Sequence, residues 1–321
     1  MLQMRRGFVT VVCLLSVAVL SQTADGVIFT EEEVAEHVRI LREEGRFARR
    51  FLIINADDFG MSTDINAAII ETFQYGIITS ATLMMPAPGM HEAVEFLREN
   101  PRAAVGLHLT LTSEWENYEW GPVLPPEEIP SLLEPNTKHF WPEIWPLLLH
   151  ANTEEVEKEI EAQVALAHEM GVSFTHFDSH MGWSNFDFIV GSRMFNAIFP
   201  IVERERVPIR ETLPLRRWRL REKGIWTQDR INFTISLTPL LGRQRARFIH
   251  ALRNLPRGIT EINFHPARDS KELRKIFSDW QFRVNERELL LCKEIKQIIE
   301  DEGIVLISFE PLKILSRESG E

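Results

Sequence analysis

The chain has 321 residues, 44% of them hydrophobic, which suffices for a sizeable core in one large domain or two ordinary ones. A formal charge of -11 argues against nucleic acid as a partner, because phosphate binding is mostly electrostatic and calls for a basic surface. With only Cys13 and Cys292 present, a framework of several disulfides is excluded.

Residues 1 to 24, "MLQMRRGFVTVVCLLSVAVLSQTA", combine a basic start, an apolar run and small polar residues. That order reads as a secretory signal peptide, since the run is shorter than the ~20 residues that cross a bilayer. Arg5 and Arg6 also resemble a twin-arginine export signal, so the expected location is periplasmic or extracellular, without stable membrane insertion after cleavage. Residues 25 to 48 read as an N-terminal helical extension: Thr30 is a capping residue followed by three glutamates, and Val34, Val38, Ile40 and Leu41 share a helical face.

From residue 51 onward, short apolar runs alternate with longer amphipathic stretches, the pattern of parallel βα units. The expected strands are Phe51 to Ala56, Thr79 to Met85, Ala104 to Leu111, Ser173 to Phe177, Val207 to Arg210, Ile259 to Phe264 and Ile304 to Phe309. The clearest helical patterns are Met90 to Glu99, Thr153 to Met170, Phe186 to Glu205 and Asn285 to Glu302. The fold class is therefore α/β, an irregular barrel of about seven parallel strands over 49–315, with a doubly wound open sheet as the alternative. No glycine-rich phosphate loop follows the first strand, which removes the main support for a nucleotide fold. Residues 113 to 150 depart from the pattern as a long loop rich in proline and tryptophan, and loops of that length inside a domain are usually functional.

In barrels and open sheets alike, reactive groups collect at the C-terminal ends of strands. Here the first strand ends in Asp57 and Asp58, the third carries His108, the fourth carries His176, Asp178 and His180, and the sixth ends in His265. Singly, such histidines are ordinarily hydrogen-bonded core residues, and paired aspartates often cap helices. Four strand ends converging on one rim with Asp or His look instead like a metal site. Adjacent acids divide two tasks well, one holding a divalent ion and the other accepting a proton from water. Successive strand residues point to opposite faces, so a break that Phe59 and Gly60 allow is expected beside the pair. On the fourth strand, an extended chain would separate His176 from His180 by about 13 Å. His180 is then the ligand, with His176 and Asp178 as supporting or substrate groups; a helical turn after Thr175 would bring both histidines to the ion.

The segments "NADDFG", "GIITSATLMMPAP", "VGLHLTLT", "THFDSH" and "TEINFHPA" resemble, in order and spacing, the YdjC-like carbohydrate deacetylases, of the chitooligosaccharide type. The resemblance runs from about residue 51 to 310. It implies a polysaccharide-deacetylase-like barrel and metal-dependent removal of an acetyl group from an N-acetylated sugar or oligosaccharide. The implied cofactor is one divalent ion, Mg2+ or Zn2+, held by Asp58, His108 and His180. Asp57 is the implied base toward the attacking metal-bound water, His265 the acid for the departing amine, and Arg210 a substrate contact. Two departures stand out: "DSHMGWSN" lacks the later histidines of the family's "DxHxHVH", and a tryptophan-rich loop replaces a shorter glycine-containing turn. Trp115, Trp120, Trp141, Trp145 and Trp183 lie in or near loops that follow the ligand-bearing strands, where flat rings stack on sugars. The rival readings are a metal amidase or esterase acting on a non-sugar acyl group and a non-catalytic carbohydrate-binding protein. A glycosidase fits poorly, since its two acids stand ~5 Å or more apart across the scissile bond. A homodimer is compatible with all of these features.

Overall fold

A computed structural model describes residues 26–232 and 239–320. The expected export signal lies outside the described residues, as does Cys13, while Cys292 is a half-buried free thiol. Among the described residues no helix is long and apolar enough to cross a membrane.

The chain begins with α1 (Glu31–Glu43), whose capping box is complete: Thr30 accepts from the Glu33 amide and the Glu33 carboxylate accepts from the Thr30 amide. Then follow β1 (Arg50–Phe59), α2 (Thr63–Tyr75), β2 (Ser80–Leu83), α3 (Met90–Glu99) and β3 (Val105–Leu109). After the long loop come α4 (Ile144–His150), α5 (Thr153–Glu169), β4 (Phe177–Ser179), α6 (Trp183–Phe186), α7 (Arg193–Glu205) and α8 (Pro214–Glu222). The chain continues through β5 (Arg230–Asn232), α9 (Leu241–Arg253), β6 (Gly258–Phe264), α10 (Lys271–Ile276) and α11 (Trp280–Leu290). It closes with α12 (Lys293–Asp301), β7 (Val305–Leu306) and α13 (Glu310–Glu318).

All strand pairings are parallel, in the order β4-β3-β2-β1-β6-β5, with β7 beside β1. One edge of β1 pairs with β6 from Arg50 to Ala56; β7 and β2 divide the other, at Phe51–Leu52 and Asn55–Phe59. This division makes the barrel irregular. Beyond β4, Val207–Arg210 is not the strand expected but a single bridge at Ile209, because Pro208 has no N–H and only its carbonyl accepts, from Phe177. The gap toward β6 is spanned by the Thr227 hydroxyl, which donates to the Ile209 carbonyl, and by the Asp229 amide, which donates to Ile259. Strand β5 was not expected, since "DRIN" offers no apolar run. The expected helices 186–205 and 285–302 are each broken, the first where Gly191 and Ser192 adopt φ of 84° and 60°, the second at Cys292 with ψ of 113°.

The alternation of side chains along β1 sorts the interior into tiers. Leu52, Ile54 and Ala56 face outward into the helix layer. Phe51 and Ile53 face inward and meet Ile259, Ile307 and Phe309, with Val38, Ile40 and Leu41 of α1 and Leu312 and Leu315 of α13 closing this cluster from below. The extension is thus a floor to the barrel. Further along the same inward face stand Asn55 and Asp57, where the interior becomes polar.

Candidate active site

The polar tier begins at the end of β1. The register of β1 against β2 shifts between Ala56 and Phe59, and Asp58 takes a left-handed φ of 69°. This bulge, rather than a turn at Phe59 and Gly60, lets both aspartates serve one interior. Gly60, at φ 93°, follows under the Met84 carbonyl, which a Cβ there would meet at 3.2 Å.

Asp58 Oδ2 accepts from Arg283 Nη1 at 2.7 Å. Its other oxygen, Oδ1, is buried without a hydrogen-bond partner and lies 3.3 Å from both His108 Nε2 and His180 Nδ1, neither aligned as a donor. These three atoms, one from each of β1, β3 and the turn after β4, lie within 4.8 Å of one another. Behind His108, Asp178 Oδ1 stands 2.6 Å from Nδ1 and is braced by Thr82; behind His180, Glu114 Oε2 stands 2.9 Å from Nε2. Burial opposes ionisation of Asp58, but Arg283 and the two imidazoles outweigh it and hold the carboxyl well below its usual range. Burial also disfavours charge on the histidines, yet the flanking carboxylates push His108 up to about 10 and His180 to about 9. An orphaned buried carboxylate oxygen facing two imidazoles, in a pocket that already favours positive charge, fits a divalent cation.

Asp57, His108 and Asp178 form a second such group, but there a cation is already built in. Arg210 Nη1 and Nη2 each donate to Asp57 at 2.7 Å, Nη1 also reaches Asp178 at 2.8 Å, and Nε donates to Glu261 at 2.7 Å. Asn55 and Asn263 complete the set of donors to Asp57. Burial works against the charge on Asp57, and Arg210 overcomes it, holding the carboxyl below its ordinary value. Glu261, buried beneath, is pushed up to about 7 by desolvation. His265 stands at the mouth with Nε2 3.6 Å from Asp57 Oδ2, its backbone amide donating to Glu286.

His176 belongs to a lower level. Its ring stacks on Phe309 at 3.7 Å, with Nδ1 against the Thr175 hydroxyl, so it faces the apolar floor and not the Asp58 group. Arg210 is buried among three carboxylates. Trp115 lines the cleft, a cavity of about 420 Å³ shared with Glu114, His180, Met181, His265, Phe282 and Arg283. Trp183 is fully buried and donates from Nε1 to the Leu109 carbonyl. Trp183→Ala should therefore cost about 3–5 kcal/mol of stability, read from denaturant unfolding, whereas Trp115→Ala, which removes a half-buried ring packed on Phe277, should cost less.

Several participants went unrecognised in the sequence. Asn55 and Asn263 interrupt apolar strands two residues before Asp57 and His265, a periodic signal that was present. Glu114 lies in an irregular loop and Arg283 with Glu286 on a helix, where nothing local distinguishes them from surface charges.

A family model described as "YdjC-like protein" matches residues 51–301. The chain belongs to the YdjC-like family. Among curated members, this YdjC-like protein is 31% identical over 266 residues to a carbohydrate deacetylase of Brevibacillus brevis, covering 81% of this chain and 99% of the relative. It is 31% identical over 272 residues to a chitooligosaccharide deacetylase of Proteus mirabilis, covering 81% and 98%. A crystal structure from Enterococcus faecalis, described as a cellobiose-phosphate cleavage protein, superposes with a TM-score of 0.71 at 27% identity, covering 82% of this chain and 99% of that one. The YdjC-like barrel and its order of strand-end motifs thus agree with the resemblance; helix α1, before residue 51, is outside the family match.

Proposed function

We propose that this YdjC-like protein is a metal-dependent hydrolase that removes acetyl groups from N-acetylated sugars or oligosaccharides. The observation that carries the reading is the convergence of Asp58 Oδ1, His108 Nε2 and His180 Nδ1 at one mouth of the barrel, beside His265. Relatives named for carbohydrate and chitooligosaccharide deacetylation, matched over nearly their whole length, supply the substrate class.

Asp58, His108 and His180 would hold the ion. Two imidazoles with one carboxylate suit zinc and its neighbours better than magnesium, which favours oxygen donors. Such an ion lowers the pKa of water and polarises an acyl oxygen. Arg210 favours the ionised form of Asp57, and this carboxylate accepts the proton from the attacking water. Arg210 fixes the orientation of that carboxylate and weakens its hold on the proton, and so acts on the substrate only through Asp57. His265 Nε2, partly exposed at the mouth, delivers a proton to the leaving nitrogen. The ring of Trp115 offers a flat wall to a sugar. Export is part of the same proposal, supported by the sequence of residues 1–24.

Acetate release from N-acetylated mono- and oligosaccharides tests the reaction. Activity should vanish with a chelator and return with a divalent ion. Faster release of other acids from non-sugar amides, or no release from any saccharide, would overturn it.

A further inference from the structure

The two imidazoles of the Asp58 group are backed in the same way but from different sources. Asp178, behind His108, belongs to a sheet strand and was legible in the sequence. Glu114, behind His180, comes from the start of the long loop. A carboxylate only accepts, so a neutral ring keeps its proton on the nitrogen facing it and presents the lone pair on the other. Those other nitrogens are His108 Nε2 and His180 Nδ1, the two atoms that face Asp58 Oδ1. Glu114 Oε2 meets the far nitrogen of His180, so it backs the ring and does not join the converging atoms.

The residues beside Glu114 are held firmly. The Ser113 amide donates to Trp141, its hydroxyl accepts from the Trp120 amide, and the Trp115 ring stands edge-on to Phe277 at 5.0 Å. Glu114 itself is largely buried, with 11% of its side chain exposed. A side chain so confined can fix both the tautomer and the tilt of the ring it touches.

We propose that Glu114 is a positioning residue for His180, so that the tryptophan-rich loop forms part of the metal centre as well as a wall of the cleft. The proposal rests on the metal reading above. Zn2+ alone, titrated into the purified, metal-stripped protein, separates the two. Glu114→Ala should weaken Zn2+ binding roughly 10- to 100-fold, the usual effect of losing a carboxylate behind a ligating histidine. Glu114→Gln, whose amide oxygen accepts the same N–H, should recover most of that loss. In ¹⁵N spectra of the loaded protein, Nε2 of His180 should stay protonated in Glu114→Gln as in the unaltered chain. Melting of the stripped proteins checks the fold; should Glu114→Ala not fold, Glu114→Asp, one methylene short of the ring, takes its place with the same expected loss. Equal Zn2+ affinity in Glu114→Ala and the unaltered protein overturns the positioning role alone. A loss in Glu114→Gln as large as in Glu114→Ala also overturns it, because charge or direct ligation would then be what matters. No Zn2+ uptake by the unaltered protein overturns both readings.

Discussion

Asp57→Asn and His265→Ala should each lower acetate release roughly 10²- to 10⁴-fold while the bound metal stays unchanged, the effect of losing a general base or acid without losing the ion. At Asp57, asparagine keeps the shape and one acceptor oxygen, and Arg210 retains Asp178 and Glu261 as counter-charges. The new amide nitrogen nevertheless meets one Arg210 N–H and one asparagine N–H, so some stability is lost with the activity and the melting temperature of the variant is measured beside its turnover. His265 is at the mouth and partly exposed, so its truncation opens no core cavity. Turnover at saturating substrate should fall in both variants, with metal content per chain equal to that of the parent. Loss of metal from Asp57→Asn would instead place Asp57 among the ligands.

The second large effect concerns the ion itself. Asp58→Asn and His180→Ala should both lose metal and activity together, whereas His176→Ala should keep the metal. Asparagine is the useful replacement at Asp58 because its amide oxygen still accepts from Arg283, which alanine would strand with Asp279 alone. The same group fixes the sign of a pH dependence. In the ion-free protein His108 is raised to about 10 and His180 to about 9, so both carry an extra proton at neutral pH. A cation must displace those protons, and its apparent affinity should therefore rise as pH rises from 6 to 8, with protons released on binding. Calorimetry in buffers of different ionisation enthalpy reads that release. Weaker binding at higher pH would contradict the ligand assignment.

What the sequence reveals, and what it does not, follows from how each residue is placed. The strand at 51–56 appears as a nearly continuous apolar run broken only by Asn55, and that at 259–264 as apolar residues alternating with polar ones, so charge just beyond their ends is conspicuous. Asp57, Asp58, His108 and His265 were visible for that reason. The strand at 230–232 lies at a sheet edge with exposed residues and left no such mark. Breaks at Gly191 and Cys292 do not disturb the helical period around them, so helices 186–205 and 285–302 read as continuous. Arg283, the partner that orients Asp58, stands 225 positions away on α11, and only the folded chain joins them. The left-handed conformation of Asp58 is likewise a consequence of the β1–β2 register, which no local residue preference dictates.

The contact between α1 and α13 has a consequence for the order in which the molecule is assembled. It joins the earliest described helix to the last, so during synthesis α1 remains without its partner until residues 310–318 have emerged. Until then Phe51, Ile53 and Ile259 lack the α13 half of their floor, and the lower end of the nascent barrel offers other chains an oily surface. A message cut short before residue 310 would yield a chain with every strand-end carboxylate and histidine in place and no closed floor, a species for chaperones and proteases rather than for catalysis.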